Sequence, residues 1–190
     1  MTGTLFVDTN VFVYSRNARE SHKRARACQW LEYLWGEQLG RTSGQVLNEY
    51  YSALTRKMRP PVAPAAAWDS VDALFAWNPQ AVDHAPLQHG RAVEARYNLS
   101  WWDSLVAAAA QSQACAVLLS EDLHDGCHYG LVIVRNRFKT SVAEARPRYA
   151  ETPVEARRYR SRGRPKRSTV AAGTGERDSG SRSKRAARSE

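Results

Sequence analysis

Two short apolar runs, each stopping at an acidic segment, constrain this chain more than any other feature. Leu5-Phe6-Val7 ends at Asp8-Thr9-Asn10, and Ala116-Val117-Leu118-Leu119 ends at Ser120-Glu121-Asp122. Neither run alternates apolar with polar residues. A strand that is apolar on both faces must be covered on both, which is the situation of a parallel sheet held between helices. Leu131-Val132-Ile133-Val134 is a third such run, and Ala81-Val82-Asp83 is expected to add a further short strand.

The segments between these runs carry helical spacing. Ser21 is placed to cap a helix running to about Trp35, with Gly36 and Gly40 at its exit. Thr42 and Ser43 precede a second helix bearing Val46, Leu47, Tyr50, Ala53 and Leu54, which stops before Pro60-Pro61; Glu49 lies beside that stripe. Pro64 to Trp77 and Pro86 to Tyr97 read as two more, the latter with proline in its first turn. Ser100 caps the next, whose apolar face runs through Trp102, Leu105, Val106, Ala109 and Ala110. Trp101 and Trp102 are expected to pack at the helix entry and in the core, stacking of one of them on a base being the other reading. Strands alternating with helices predict an α/β fold with a mainly parallel sheet.

Charge divides the chain in two. Residues 1–140 hold 14 basic and 13 acidic residues, whereas residues 141–190 hold 14 basic and 6 acidic. The first stretch is expected to be the globular domain. The second is rich in Arg, Ser, Gly, Ala and Pro without apolar periodicity and is expected to be disordered, because it cannot bury enough surface to offset its ordering entropy. Its basic run from Arg157 to Arg167 has the composition of a phosphate-contacting segment, and equally that of a dispensable solvated tail. Cys28, Cys115 and Cys127 are odd in number and contain no C-x-x-C pair, which points to a reducing compartment. The longest apolar run, Leu105 to Ala110, is far short of the roughly 20 residues that span a bilayer. No basic segment precedes Leu5-Phe6-Val7, so no signal peptide is expected and the cytoplasm is the expected location.

Four carboxylates fall where α/β geometry gathers function. Asp8 and Asp122 follow buried strands, and open α/β sheets bind ligands at strand carboxyl ends. Asp103 sits in the first turn of the helix that Ser100 caps, and Glu49 flanks an apolar stripe. Taken singly, each is accounted for equally well as a helix cap or half of an ion pair. Together they would repel one another unless a cation offset the charge, and none has Lys or Arg adjacent in sequence. Hard oxygen ligands of this kind suit Mg²⁺ or Mn²⁺, ions that acidify a bound water and neutralise charge on a phosphate. The chemistry that follows is phosphodiester hydrolysis.

The segments Leu5-Phe6-Val7-Asp8-Thr9-Asn10, Gln45-Val46-Leu47-Asn48-Glu49, Ser100-Trp101-Trp102-Asp103-Ser104 and Leu118-Leu119-Ser120-Glu121-Asp122 resemble the four motifs of the PIN-domain ribonucleases. They resemble most those of the VapC toxins of bacterial toxin–antitoxin pairs. Each motif is weak alone; the ordered set, covering residues 1 to about 138, is strong. The resemblance implies a three-layer α/β/α fold with a five-stranded, mainly parallel sheet. It also implies metal-dependent RNA cleavage, silencing by a cognate antitoxin, and a homodimer.

On this resemblance Asp8, Glu49, Asp103 and Asp122 are the catalytic acids. Asp8 and Asp103 are the expected direct ligands, Asp122 holds a second ion or a coordinated water, and Glu49 orients the attacking water or binds metal indirectly. Thr9 and Ser120 match hydroxyl positions beside the cluster; Thr9 is expected to bond Asp8 and fix its rotamer, and Asn10 to do the same or to start the turn. Glu121 and Asp125 are read as rim charges, and the His124, Cys127, His128 spacing as a loop rather than a zinc site. One departure is Asn136-Arg137-Phe138, where the family often has Asn-Pro-Phe. Other readings are an RNA-processing PIN nuclease without an antitoxin, and an RNA-binding protein whose tail dominates over a silent acidic site. A phosphatase is disfavoured because Asn10 stands where a second aspartate would act as acid.

Overall fold

The computed structural model describes residues 3–136, 138 and 139, so the reading of residues 141–190 lies outside the described residues. The first apolar run forms β1 (Leu5–Val7), and the chain turns at once into α1 (Thr9–Arg16). That abruptness has a local cause. Asp8 is the N-cap of α1: its backbone is extended and its side chain accepts from the Thr9 amide at 2.6 Å. Asp8-Thr9-Asn10 has residues that favour turns and caps, but no helix is expected from sequence between Val7 and Ser21, so α1 departs from expectation.

The next helix, α2 (Ser21–Gly36), begins with Ser21 inside it, and its N-cap Glu20 makes no side-chain capping bond. It leads to β2 (Gly40–Arg41), a two-residue strand with no apolar pattern of its own. The Ser43 hydroxyl then caps α3 (Gly44–Ser52), which continues as one π-helical stretch, Ala53–Lys57. The helix expected over 64–77 is α4 (Pro64–Asp72), tightened into a 3-10 helix over Ala73–Trp77. Ala81-Val82-Asp83 forms no strand; in that region Gln80 makes an isolated parallel bridge to Ser43, and Val82 is exposed. The remaining elements are α5 (His84–Tyr97), α6 (Trp101–Ser112), β3 (Val117–Leu119), β4 (His128–Tyr129) and β5 (Val132–Arg135).

Among the described residues the sheet has five strands in the order β2-β1-β3-β5-β4, parallel except for β4, which runs antiparallel to β5 at the edge. The expectation of a mainly parallel five-stranded sheet holds. Phe6, Val7, Leu118, Leu119 and Val134 are fully buried, as strands covered on both faces require. Each such side chain contributes about 1.5–3 kcal/mol by leaving water. Ala107 to Ala110 of α6 are buried against the sheet and α5. Among the described residues no helix is long and apolar enough to cross a membrane.

The topology determines where a ligand can enter. From β1 the chain proceeds to β2 on one side, and it later inserts β3 on the other side of β1. The order therefore reverses between β1 and β3, and the crevice beyond their carboxyl ends is the switch point of this sheet.

Candidate active site

The parallel register pairs Val7 with Leu119, so the residues that follow these strands emerge side by side. The Asp8 amide donates to the Leu119 carbonyl at 3.1 Å. The Ser120 hydroxyl then donates to Asp8 Oδ2 at 2.7 Å and accepts from the Asp122 amide at 3.2 Å. The Asn10 amide donates to Asp8 Oδ2 at 2.9 Å, to Asp122 Oδ2 at 3.2 Å and to Ser120 Oγ at 3.4 Å. One amide nitrogen thus bridges the two strand-end carboxylates. Asp8 is buried, whereas Asp122 is exposed.

The other two acids arrive on helices. The Ser100 hydroxyl caps α6 by accepting from the Asp103 amide at 3.2 Å, and it donates to Asp103 Oδ2 at 2.7 Å. The capping expected from sequence therefore also orients the Asp103 carboxylate. Glu49, half-buried on α3, accepts from the Gln45 side-chain amide at 3.0 Å, one helical turn earlier.

Electrostatics ties the four together. Burial pushes the Asp8 carboxyl up from 3.8 to about 7; the negative charges of Asp122 and Glu49 push the same way, and the bonds from Ser120 and Thr9 oppose them. Asp103 is also raised, first by burial and then by Asp122 and Glu49, against its bond from Ser100. Among the described residues none of the four carboxylates forms an ion pair with Lys or Arg.

Thr9 bonds Asp8 through its backbone amide, not through its hydroxyl, which is buried and has no hydrogen-bond partner among the described residues. Among the described residues no three His, Cys, Asp or Glu side chains are arranged as a ready-made ion site. The Asn10 amide instead bridges Asp8 and Asp122. The donor chemistry nonetheless fits a hard divalent cation: carboxylate oxygens held by neutral donors, charges that repel without a counter-ion, and an orphaned hydroxyl on the residue after Asp8.

Several positions differ from expectation or were not anticipated. Trp102 is 53% exposed rather than packed in the core, although it lies one residue before Asp103. Glu121 is not a free rim charge; it is half-buried and accepts from Lys23 at 2.7 Å. Burial works against the Lys23 ammonium, but its bonds to Glu121 and Tyr14 outweigh that and raise its pKa. The i,i+4 spacing of Gln45 and Glu49 is a signal that could have found that pair. Nothing local signals Lys23 with Glu121.

A family model described as PIN domain matches residues 5–124. No curated protein matches the chain. Among solved structures, the chain is similar to Mycobacterium tuberculosis VapC20, described as a Sarcin-Ricin loop cleaving toxin. The identity is 17%, the TM-score 0.44, and the match covers 60% of this chain and 87% of that one.

Proposed function

The chain belongs to the PIN-domain family, and from that premise we propose that it is a Mg²⁺- or Mn²⁺-dependent endoribonuclease acting in the cytoplasm as the toxin of a toxin–antitoxin pair. The observation that carries this reading is the meeting of Asp8 and Asp122 at the sheet's switch point, with the charges of Asp122 and Glu49 close enough to raise both Asp8 and Asp103. Asp8, Asp103 and Asp122 are the residues proposed to hold the ion. When bound, it supplies charge neutralisation for the phosphate and an acidified water.

The chain's own residues do the positioning. Thr9 and Ser120 donate to different oxygens of Asp8, which leaves its carboxylate little rotational freedom. Ser100 does the same for Asp103, and Gln45 holds one Glu49 oxygen so that the other is available to orient the attacking water. Asn10 spans the gap between Asp8 and Asp122, keeping their oxygens within reach of a common ligand. RNA is the proposed substrate, a small antitoxin protein the proposed inhibitor, and a second copy of the chain the proposed oligomeric partner.

The test is cleavage of RNA by the purified chain. Mg²⁺ or Mn²⁺ is expected to support cleavage, EDTA to stop it, and Asp8→Asn and Asp103→Asn to reduce it to background with the fold intact. A chain lacking residues 141–190 is expected to cleave still. Cleavage unchanged in both Asn variants, or resistant to EDTA, refutes the site. Growth arrest on expression, relieved by the product of a short upstream reading frame, is the expected sign of a toxin.

A further inference from the structure

Lys23, in the first turn of α2, lies outside the carboxylate group yet joins three separate stretches of chain beside it. Its ammonium donates to Glu121 Oε1 at 2.7 Å and to the Tyr14 hydroxyl at 3.0 Å. It stands 4.4 Å from the centre of the Tyr14 ring and 5.1 Å from that of Phe138, and these two rings meet edge-on at 5.3 Å. Glu20, one helical turn away, is a second carboxylate partner at 3.4 Å. Tyr14 belongs to α1, Glu121 to the exit of β3, and Phe138 to the segment after β5. The Lys23 and Glu121 side chains are 30% and 26% exposed, so the pair is partly shielded from water, with the ammonium close to both rings.

Glu121 stands between Ser120 and Asp122. Ser120 is tied inward to Asp8, and Asp122 is exposed among other negative charges. Asp122 donates through its amide to the Ser120 hydroxyl at 3.2 Å, and its carboxylate accepts from the Asn10 amide at 3.2 Å. Like-charge repulsion favours an outward swing of this turn, and fixing the neighbouring side chain opposes that swing. The same ion pair keeps Glu121 from turning inward as a competing carboxylate.

We infer that Lys23 is a positioning residue for the carboxylate site, acting through Glu121 to hold the Ser120–Asp122 turn where Asp122 shares the Asn10 amide with Asp8. The inference rests on the proposed function, since the turn it holds is one that would bind a divalent ion.

The experiment is a Mn²⁺ titration of the full chain followed by electron paramagnetic resonance, with thermal unfolding recorded on the same samples. Lys23→Met is expected to weaken Mn²⁺ binding about 10-fold or more, the usual effect of losing a residue that orients a ligand. Lys23→Arg is expected to lose clearly less than Lys23→Met, because arginine keeps a cation that can pair with Glu121 and face the rings. Glu121→Ala, which leaves Lys23 with Tyr14 and Phe138, is expected to weaken binding as well, and adding Lys23→Met to it to cause no further loss. Mn²⁺ affinity unchanged in Lys23→Met overturns the inference, as does Lys23→Arg behaving like Lys23→Met. If Lys23→Met does not fold, Glu121→Ala decides, and unchanged affinity there overturns it. Failure of the proposed function looks different: the wild-type chain then binds no Mn²⁺, or binds it equally well after Asp8→Asn, and both readings fall together.

Discussion

Asp8→Asn exchanges a charge for a neutral amide of the same shape in the buried strand-end position. In the metal-free chain the ionised Asp8 is a burden on the fold: its carboxyl rises from 3.8 to about 7 through burial, with Asp122 and Glu49 adding to the effect. At about 1.4 kcal/mol per tenfold change in proton affinity, ionisation costs the folded state about 4 kcal/mol. The sign follows from proton binding. Between about pH 4 and pH 7 the folded chain keeps the Asp8 proton while the unfolded chain releases it, so stability falls as pH rises through that window and levels off above it. Asparagine escapes this cost but matches its neighbours less well. If its carbonyl accepts from the Thr9 amide, its own amide faces the Asn10 amide, donor against donor, in place of the 2.9 Å bond Asp8 accepts there.

That mismatch costs about 2 kcal/mol, leaving about 2 kcal/mol in favour of the variant at pH 8, or about 4–8 °C in Tm for a chain of this size. Near pH 5 the folded wild type keeps its proton, only about 1.7 kcal/mol of the cost remains, and because this nearly offsets the mismatch the difference is expected to vanish. Melting curves by circular dichroism in EDTA at both pH values check this. The reasoning is refuted if Asp8→Asn melts below wild type at pH 8, or if the difference is the same at pH 5 and pH 8. Adding Mg²⁺ at pH 8 is expected to stabilise wild type selectively, because only the wild-type site binds the ion well.

Ser120→Ala removes the hydroxyl that donates to Asp8 Oδ2, a bond that holds the Asp8 carboxyl down. The acid limb of the kcat/KM profile is expected to move up by about 1 pH unit, and an unmoved limb counts against Asp8 as the titrating group. Gly40→Ala places a methyl 2.6 Å from the buried Trp77 ring, which has no room to yield. A loss of about 1–3 kcal/mol in urea unfolding is expected, and an unchanged midpoint refutes the claim that β2 needs glycine for this close approach.

The strand ends that carry Asp8 and Asp122 were legible because a doubly apolar run announces a covered parallel strand from its own residues, and the acid that stops it stands at the strand's carboxyl end. The Ser100 cap was legible for the same reason: capping is a matter of a few adjacent residues, and here it also orients Asp103. Two-residue β2 and β4 were not, since Gly40-Arg41 and His128-Tyr129 become strands only because β1 and β5 offer them partners. Ala81-Val82-Asp83 had strand-like residues but acquired no partner to pair with. Trp102 shares its apolar character with Leu105 and Val106, and only the direction in which the first turn of α6 points leaves it in water.

How those carboxylates meet was a matter for the tertiary structure. Residues 8 and 120 come together through the parallel register of β1 and β3, and Lys23 reaches Glu121 because α2 packs on α1 beside the same turn. Periodicity and capping are short-range and can be read along the chain. Charge complementarity between segments about a hundred residues apart leaves no trace in either one, and comes into being only when the sheet closes its register.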